Sequence, residues 1–377
     1  MMSLQSLEDV QDLARGAVLL GTGGGGDPYI GELFLSAQLE KGKTVEIVAA
    51  NALPDDAFVI SIAGIGSPPV LLEHLVSERT LTHLVARAEA FYGRRIDAII
   101  SAEIGGANAM FPLALGALIG IPVVDADGIG RAVPHIEMTT FSIFGCKATP
   151  ALLVDDLGNC VTIDAADDRT CENLARSTTM SLGSITFGAL YPMTGQQVKR
   201  CAVHRTLTHA LEIGRCIREA RAASEDVVGD LVAFLGRWDN RPANVLFDGK
   251  IIDVRHETRD GWHWGQAILA PFGDSEDRFS IDIQNEYLVA RMNDEVVAMV
   301  PDLISIVDRE SGEPLTAEML TYGLRVKVIG YAADPLLRRP ESLDVLGPRM
   351  FGLDMDYAPI ETLNLCEPPA RKRAPAA

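Results

Sequence analysis

Positive charge is scarce in this chain: 33 lysines and arginines stand against 52 aspartates and glutamates, a formal net charge of −19. A surface of that sign repels phosphate backbones, which sets nucleic acid aside as a partner; its plainer consequence is solubility. Cysteine is sparse as well. Cys146, Cys160, Cys171, Cys201, Cys216 and Cys366 form no CxxC pair, so no zinc ribbon or disulfide framework is indicated, and reduced thiols in a cytoplasmic protein fit best. No apolar run reaches the about 18 residues of a membrane helix. Residues 1–10 lack the basic and then apolar order of a secretion signal, so no membrane partner is expected. His-Glu-x-x-His is missing, which removes the commonest helix-borne zinc motif.

What is present is apolar core. Hydrophobic residues make up 47% of the 377, far from the composition of disorder, and the length suggests two or three domains. Over 1–190 apolar strand-like runs alternate with helical periodicity: strands at 44–49, 57–63, 96–101 and 122–124, helices at 6–20, from Asp27-Pro28 to about 39, up to about 90, and at 107–119. Alternation of this kind predicts an α/β domain with a mostly parallel sheet. Short strands follow at 141–144, 151–154, 160–163 and 184–190, with a helix at 171–180. Residues 191–236 read as a helical connection, with one long helix over 195–222 and another over 227–235. From 237 to 365 strands dominate, at 244–247, 250–257, 265–270, 278–284, 287–292, 296–300, 303–307 and 324–329, separated by turn signals at Asp248-Gly249, Asn293-Asp294 and Ser311-Gly312. This predicts a β-rich, mostly antiparallel C-terminal domain, then a flexible tail at 366–377. Strand edges in such a domain make a homodimer plausible.

Chemistry concentrates where strands end, the usual ligand-binding edge of an α/β sheet. Glu103-Ile-Gly105-Gly106-Ala-Asn108 sets a carboxylate just past a strand, with glycines that allow close backbone approach and an amide donor beside them. A partly desolvated carboxylate there can serve as general acid or base; the alternative is a helix cap. Asp125-Ala-Asp127-Gly follows the next strand, and Arg131, His135 and Glu137 come soon after. The aspartates suit acid–base work or a divalent metal, or else capping and arginine pairing. Arg131 offers a fork for a substrate carboxylate. The loop Gly21-Thr-Gly23-Gly24-Gly25-Gly26 could present N–H groups to an anion. It lacks the Lys-Ser/Thr of a P-loop and follows a helix, so it does not match a nucleotide fingerprint. Weaker candidates are a metal pair at Cys201 and His204, a Cys146 nucleophile, and a pocket wall at His256, Trp262, His263 and Trp264, for each of which plain packing is the alternative.

Taken together, Gly21-Thr-Gly-Gly-Gly-Gly-Asp-Pro, Glu103-Ile-Gly-Gly-Ala-Asn, Pro122-Val-Val-Asp-Ala-Asp-Gly-Ile-Gly-Arg-Ala, Gln284-Asn-Glu-Tyr-Leu, Val300-Pro-Asp-Leu-Ile and Gly347-Pro-Arg-Met-Phe-Gly resemble the S-methyl-thiohydantoin desulfurase-like family, which is associated with hydantoinase and oxoprolinase proteins. The resemblance runs from about residue 6 to 360. It implies two domains and hydrolysis of a small five-membered nitrogen heterocycle, in its sharpest form S-methyl-thiohydantoin to hydantoin with release of methanethiol. On that reading Glu103, Asp125, Asp127 and His135 are the catalytic candidates. Gly23, Gly24, Gly25, Gly105, Gly106, Asn108 and Arg131 would bind substrate, and a zinc ion would be an alternative activator of water. His135 stands where members of the family carry an acidic residue after Pro134, a departure that bears on the substrate. Two other classes remain open: a partner subunit of an ATP-dependent oxoprolinase-type enzyme, and a non-catalytic protein that binds a small acid.

Overall fold

The computed structural model describes residues 2–4, 6–66, 77–223, 226–259 and 262–363. Two sheets organise them. The first contains β1 (Met2–Leu4), β2 (Val45–Ala49), β3 (Phe58–Gly66), β4 (Ala98–Ser101), β5 (Val123–Asp127), β6 (Ala151–Val154), β7 (Cys160–Ile163), β8 (Ile185–Thr194) and β9 (Val203–His204). Its order is β1-β2-β5-β4-β3-β8-β6-β7, with β9 paired to β5. The centre, β2-β5-β4-β3, is parallel; antiparallel strands flank it. The strands β4, β5 and β6 are buried at every position, as expected when helices cover both faces.

Those helices are α1 (Leu7–Leu20), α2 (Tyr29–Glu40), α3 (Glu78–Tyr92), α4 (Gly106–Ile119), α5 (Thr140–Ile143), α6 (Asp168–Ser181), α7 (Gly195–Cys201), α8 (Thr206–Ala223) and α9 (Val227–Arg237). Ser6 caps α1 by accepting from the Asp9 N–H, with Glu8 and Asp9 in the first turn, the charge order the helix dipole favours. The α1 and α8 backbones nearly touch: a Cβ on Gly16 would lie 1.8 Å from the Ala210 carbonyl oxygen, and one on Gly214 1.8 Å from that of Asp12.

The second sheet is antiparallel throughout. It holds β10 (Ala243–Arg259), β11 (Trp262–Ala270), β12 (Phe279–Gln284), β13 (Glu286–Met292), β14 (Glu295–Met299), β15 (Leu303–Asp308), β16 (Pro314–Leu315) and β17 (Arg325–Tyr331), in the order β14-β13-β12-β11-β10-β17-β15-β16. Phe247, Phe279, Ile281, Ile304 and Val328 belong to its core. A last helix, α10 (Pro340–Leu346), follows. The α/β sheet and the antiparallel C-terminal sheet agree with the fold class read from the sequence. Among the described residues no helix is long and apolar enough to cross a membrane.

Four local expectations are corrected. Gly64-Ile-Gly66-Ser67-Pro68-Pro69 reads in the sequence as a glycine turn, but Gly64–Gly66 is the end of β3, held by pairing with β8; residues 67–69 lie outside the described residues, as does the tail at 366–377. Residues 141–144 lie in and just after a helical turn, α5, capped by Thr139. The long helix over 195–222 is broken. A capping box of Thr194 and Gln197 starts α7, but Val203 and His204 leave the helix to pair with Asp127 and Ala126. Arg205 then turns at φ 64° with its N–H on the Asp125 carbonyl. Asp248-Gly249 is no turn either, because both residues pair with β17 inside the bulged strand β10.

Candidate active site

A cleft opens past the carboxyl ends of β3 and β4 and encloses a cavity of about 140 Å³, where an open α/β sheet places its ligand. Gly64 to Gly66, Glu103 and Asn108 form its floor; Val133 to Ile136 and Glu172 with Arg176 form one wall, and Gly24 to Gly26 form another. Asn285 and Glu286, at the β12–β13 junction of the second sheet, and Glu318, in the 3-10 turn after β16, also line it.

Glu103 sits in the loop between β4 and α4, 8% exposed. Its Oε1 accepts from Asn108 Nδ2 at 2.7 Å and its Oε2 from the Val133 N–H at 2.9 Å. Asn108 is fixed in turn by the Gly64 N–H, which donates to its Oδ1 at 2.7 Å. Burial pushes the Glu103 pKa up to about 7, against the pull of these two donors and of the Arg131 charge. That is the range in which a carboxylate works as a base near neutral pH.

Glu286, at the start of β13, is 2% exposed, and its Oε2 has no hydrogen-bond partner. Burial, and next the Glu103 charge, hold its pKa well above the ordinary carboxylate value. Two buried carboxyls that share a cleft cannot both ionise readily, and the upward shift of Glu286 favours the proton on that residue.

The glycine loop explains how a residue of the second sheet reaches this place. Thr22 and Gly23 carbonyls accept from the Tyr287 and Ala317 N–H groups at 2.7 and 2.9 Å. Gly23, at φ 88°, lies against the Tyr287 ring, and a Cβ on Gly24 would come within 2.2 Å of Glu286 Oε1. Only glycine allows so close an approach. The loop thus joins the two sheets, with Gly24 and Gly25 on the cleft. Gly105 and Gly106 pack behind it: the Gly25 carbonyl accepts the Ala107 N–H at 3.0 Å and caps α4.

Asp125, Asp127 and Arg131 are not among the residues lining the cleft. Asp125 binds the N–H and hydroxyl of Thr208 at 3.0 and 2.5 Å, fastening α8 to β5. Asp127, fully buried, accepts the N–H groups of Ile104, Ile129 and Gly130; burial pushes its pKa up to about 8 against those donors. Through Ile104 it positions the Glu103 loop. Arg131 donates to the carbonyls of Ala132, Pro301 and Asp302 and to Thr22 Oγ1. It acts on the cleft through its charge rather than as a fork for a substrate carboxylate.

His135 does line the cleft. Burial is the leading cause that lowers its pKa, so it is neutral at pH 7. Its Nδ1 is 4.0 Å from Glu137 Oε1, and among the described residues His135, Glu137 and Glu172 are the group whose ligand atoms all lie within 4.8 Å of one another. A nitrogen and carboxylate oxygens suit zinc, although Glu172 Oε1 is already engaged by Arg176 at 2.6 Å. Tyr191 lines the same wall at φ 50°; its hydroxyl donates to the Ile136 carbonyl at 2.6 Å and accepts from Thr139 at 3.0 Å.

The weaker candidates fall elsewhere. Cys146 and Cys201 are buried with their sulfurs 3.6 Å apart. His204 shares no helix face with Cys201, because α7 ends at Cys201. His256 and Trp264 do not line the cleft, and the side chains of Trp262 and His263 lie outside the described residues. Sequence reasoning missed Glu286, Glu172 and Glu318 as site residues. For Glu286 a signal existed: Gln284-Asn285-Glu286 puts polar residues between two apolar strands, and Asn285 turns at φ 58°.

Family models cover this architecture. The model of the S-Me-THD-like N-terminal domain matches residues 8–165 and that of the S-Me-THD-like C-terminal domain residues 166–360. The chain belongs to the S-Me-THD-like family. An X-ray crystal structure of a protein from Chromobacterium violaceum is similar to it at a TM-score of 0.80 and 25% identity, over 96% of this chain and 100% of that one. Among curated proteins none matches. Within the S-Me-THD-like frame the cleft takes residues from both family domains, Glu103 from the first and Glu286 from the second.

Proposed function

We propose that this S-Me-THD-like protein hydrolyses a small five-membered nitrogen heterocycle, replacing a ring methylthio group by oxygen and releasing methanethiol. The observation that carries the reading is the carboxyl pair: Glu103 and Glu286 are both buried and line one cleft, burial raises both pKa values, and the Glu103 charge raises that of Glu286 further. Two carboxyls whose environments push their pKa values apart are suited to opposite roles.

In the proposed reaction Glu103 takes a proton from water as the water oxygen bonds to the ring carbon that bears sulfur. Glu286 gives its proton to the adjacent ring nitrogen, and the C=N bond becomes single. The C–S bond then breaks. The sulfur leaves with the proton held by Glu103, and the hydroxyl proton passes to Glu286 as the carbonyl forms, so both carboxyls return to their starting states. Asn108 and the Val133 N–H hold Glu103 in place throughout, and preorganised groups of this kind supply rate without reorganising during the reaction.

The test is methanethiol release from S-methyl-thiohydantoins, followed with a thiol reagent, in the wild type and in Glu103→Gln and Glu286→Gln. Release by the wild type and its loss in both variants supports the reading. A wild type that releases no thiol from any such compound overturns it.

A further inference from the structure

Away from the cleft, the fold brings two thiols together. Cys146 follows the helical turn α5 and Cys201 ends α7, 55 positions apart in the chain. Their sulfurs lie 3.6 Å apart, with the Cys146 S–H donating to Cys201 Sγ. Both side chains are buried, and the reaction proposed above uses neither. A disulfide needs its sulfurs at about 2.05 Å. The remaining approach of about 1.5 Å is within what a change of χ1 at a cysteine can cover.

The surroundings of the two sulfurs differ, and the difference gives each a role. Arg200 Nε donates to Cys201 Sγ at 3.5 Å, and its guanidinium also reaches the Phe144 carbonyl at 3.3 Å. When Cys201 carries its own proton, that carbonyl accepts it at 3.6 Å. The Cys146 thiol, and with it Arg200, pulls the Cys201 pKa down against burial, while the same sulfur contact and burial push Cys146 up. A thiolate beside a cation is the reactive form of cysteine. Cys171 and Cys216 stand in the opposite setting, where burial and then the charges of Asp168 and Asp230 raise them. The pair also lies close under the surface: Gly145 and Lys147, on either side of Cys146, are exposed, as is Arg200.

We propose that Cys146 and Cys201 form an oxidation site: a hydroperoxide converts the pair to a disulfide, with Cys201 reacting first and Cys146 second, and a dithiol reopens it. In the first step the Cys201 thiolate attacks one oxygen of hydrogen peroxide, the O–O bond breaks, the sulfur becomes a sulfenic acid and hydroxide leaves. In the second the Cys146 sulfur attacks that of Cys201, the S–O bond breaks, and the hydroxyl departs with the Cys146 proton as water. Two electrons pass from the sulfurs to the peroxide. A dithiol reverses the bond by exchange, and is itself oxidised to a disulfide. The crosslink would close residues 146–201 into a loop that includes Glu172, Arg176 and Tyr191 of the cleft wall.

The test treats the full-length, reduced protein with a small excess of hydrogen peroxide. The chain is then unfolded with an alkylating reagent present, digested and mapped by mass spectrometry. One intramolecular disulfide between the Cys146 and Cys201 peptides is expected, with loss of two of the six thiols and their full recovery in dithiothreitol. Cys146→Ala should stop at a sulfenic acid on Cys201, trapped with dimedone, and Cys201→Ala should leave Cys146 unmodified at the same dose. Arg200→Gln should give the wild-type product about tenfold more slowly, the effect of about one unit of thiol pKa. Two thiols that merely pack together would show no such dependence. Wild-type Cys146 and Cys201 that are both recovered as free thiols overturn the proposal, as does pairing of either with Cys160, Cys171, Cys216 or Cys366. That mapping does not depend on any variant folding. A sulfenic acid that forms on Cys146 in Cys201→Ala, or an unchanged rate in Arg200→Gln, overturns the order of reaction.

Discussion

If Glu103 is held protonated by its surroundings up to about pH 7, the residue proposed as the base also destabilises the fold, and replacing it should show both effects. Below pH 4.5 the carboxyl is protonated in folded and unfolded chains and contributes no difference. As pH rises past 4.5 the unfolded chain loses the proton and the folded one keeps it, so stability falls until the folded group ionises near 7. A rise from 4.5 to about 7 corresponds to about 3 kcal/mol. In Glu103→Gln this slope disappears, whatever constant offset the changed hydrogen bonds introduce. Urea unfolding at a series of pH values from 4 to 8.5 measures it: wild-type stability minus that of the variant should decline by about 3 kcal/mol across the series. Because Glu286 feels the Glu103 charge, the two titrate as a pair, and the decline should spread over more than one pH unit. Parallel curves that differ by a constant would refute the reasoning, because Glu103 would then ionise as an ordinary carboxyl and have no special fitness as a base.

Four further outcomes are expected. Glu286→Gln should reduce kcat/KM by about 10²–10⁴-fold, the usual span for a lost acid or base, and abolish the alkaline fall of a bell-shaped pH profile; an alkaline limb that survives would assign the acid elsewhere. Asn108→Ala removes a donor that favours ionised Glu103, so the acidic limb of the profile should move to higher pH, and a shift the other way contradicts the geometry. Gly214→Ala pushes a methyl group into the Asp12 carbonyl and should cost about 1–3 kcal/mol by calorimetry; an unchanged melting temperature would mean that α1 and α8 separate easily. Dialysis against a chelator should leave thiol release intact if Glu103 activates the water. Loss that zinc restores would move that role to His135, Glu137 and Glu172.

The parallel centre of the first sheet was legible because buried strands leave continuous apolar runs, and the second sheet because turn residues punctuate it. What misled was local signal overruled by pairing. Asp248-Gly249 has the chemistry of a turn, yet pairing with β17 pulls it straight. The helical pattern through Cys201 and His204 breaks because β5 offers an edge to Val203 and His204. The site divides the same way. Glu103 and Asn108 could be found because they follow a strand within one motif. Asp125, Asp127 and Arg131 looked equally chemical, and only the fold distinguishes a carboxylate facing a cavity from one already bound by backbone N–H groups. Glu286 lies 183 positions beyond Glu103 in the chain, a distance that no local pattern spans.

The glycine loop joins Thr22 to Tyr287 and Gly23 to Ala317 through the backbone, and this has a consequence for the order in which the protein is made. Domains fold as units while synthesis proceeds from the N-terminus. The first sheet and the Glu103 loop can therefore be in place while the chain is still being extended. Until the residues around 287 and 317 have emerged, the loop carbonyls have no donors and Glu103 has no second carboxyl beside it. On the proposed reading the nascent protein carries a base without an acid, and competence for that reaction waits for Glu286 in β13.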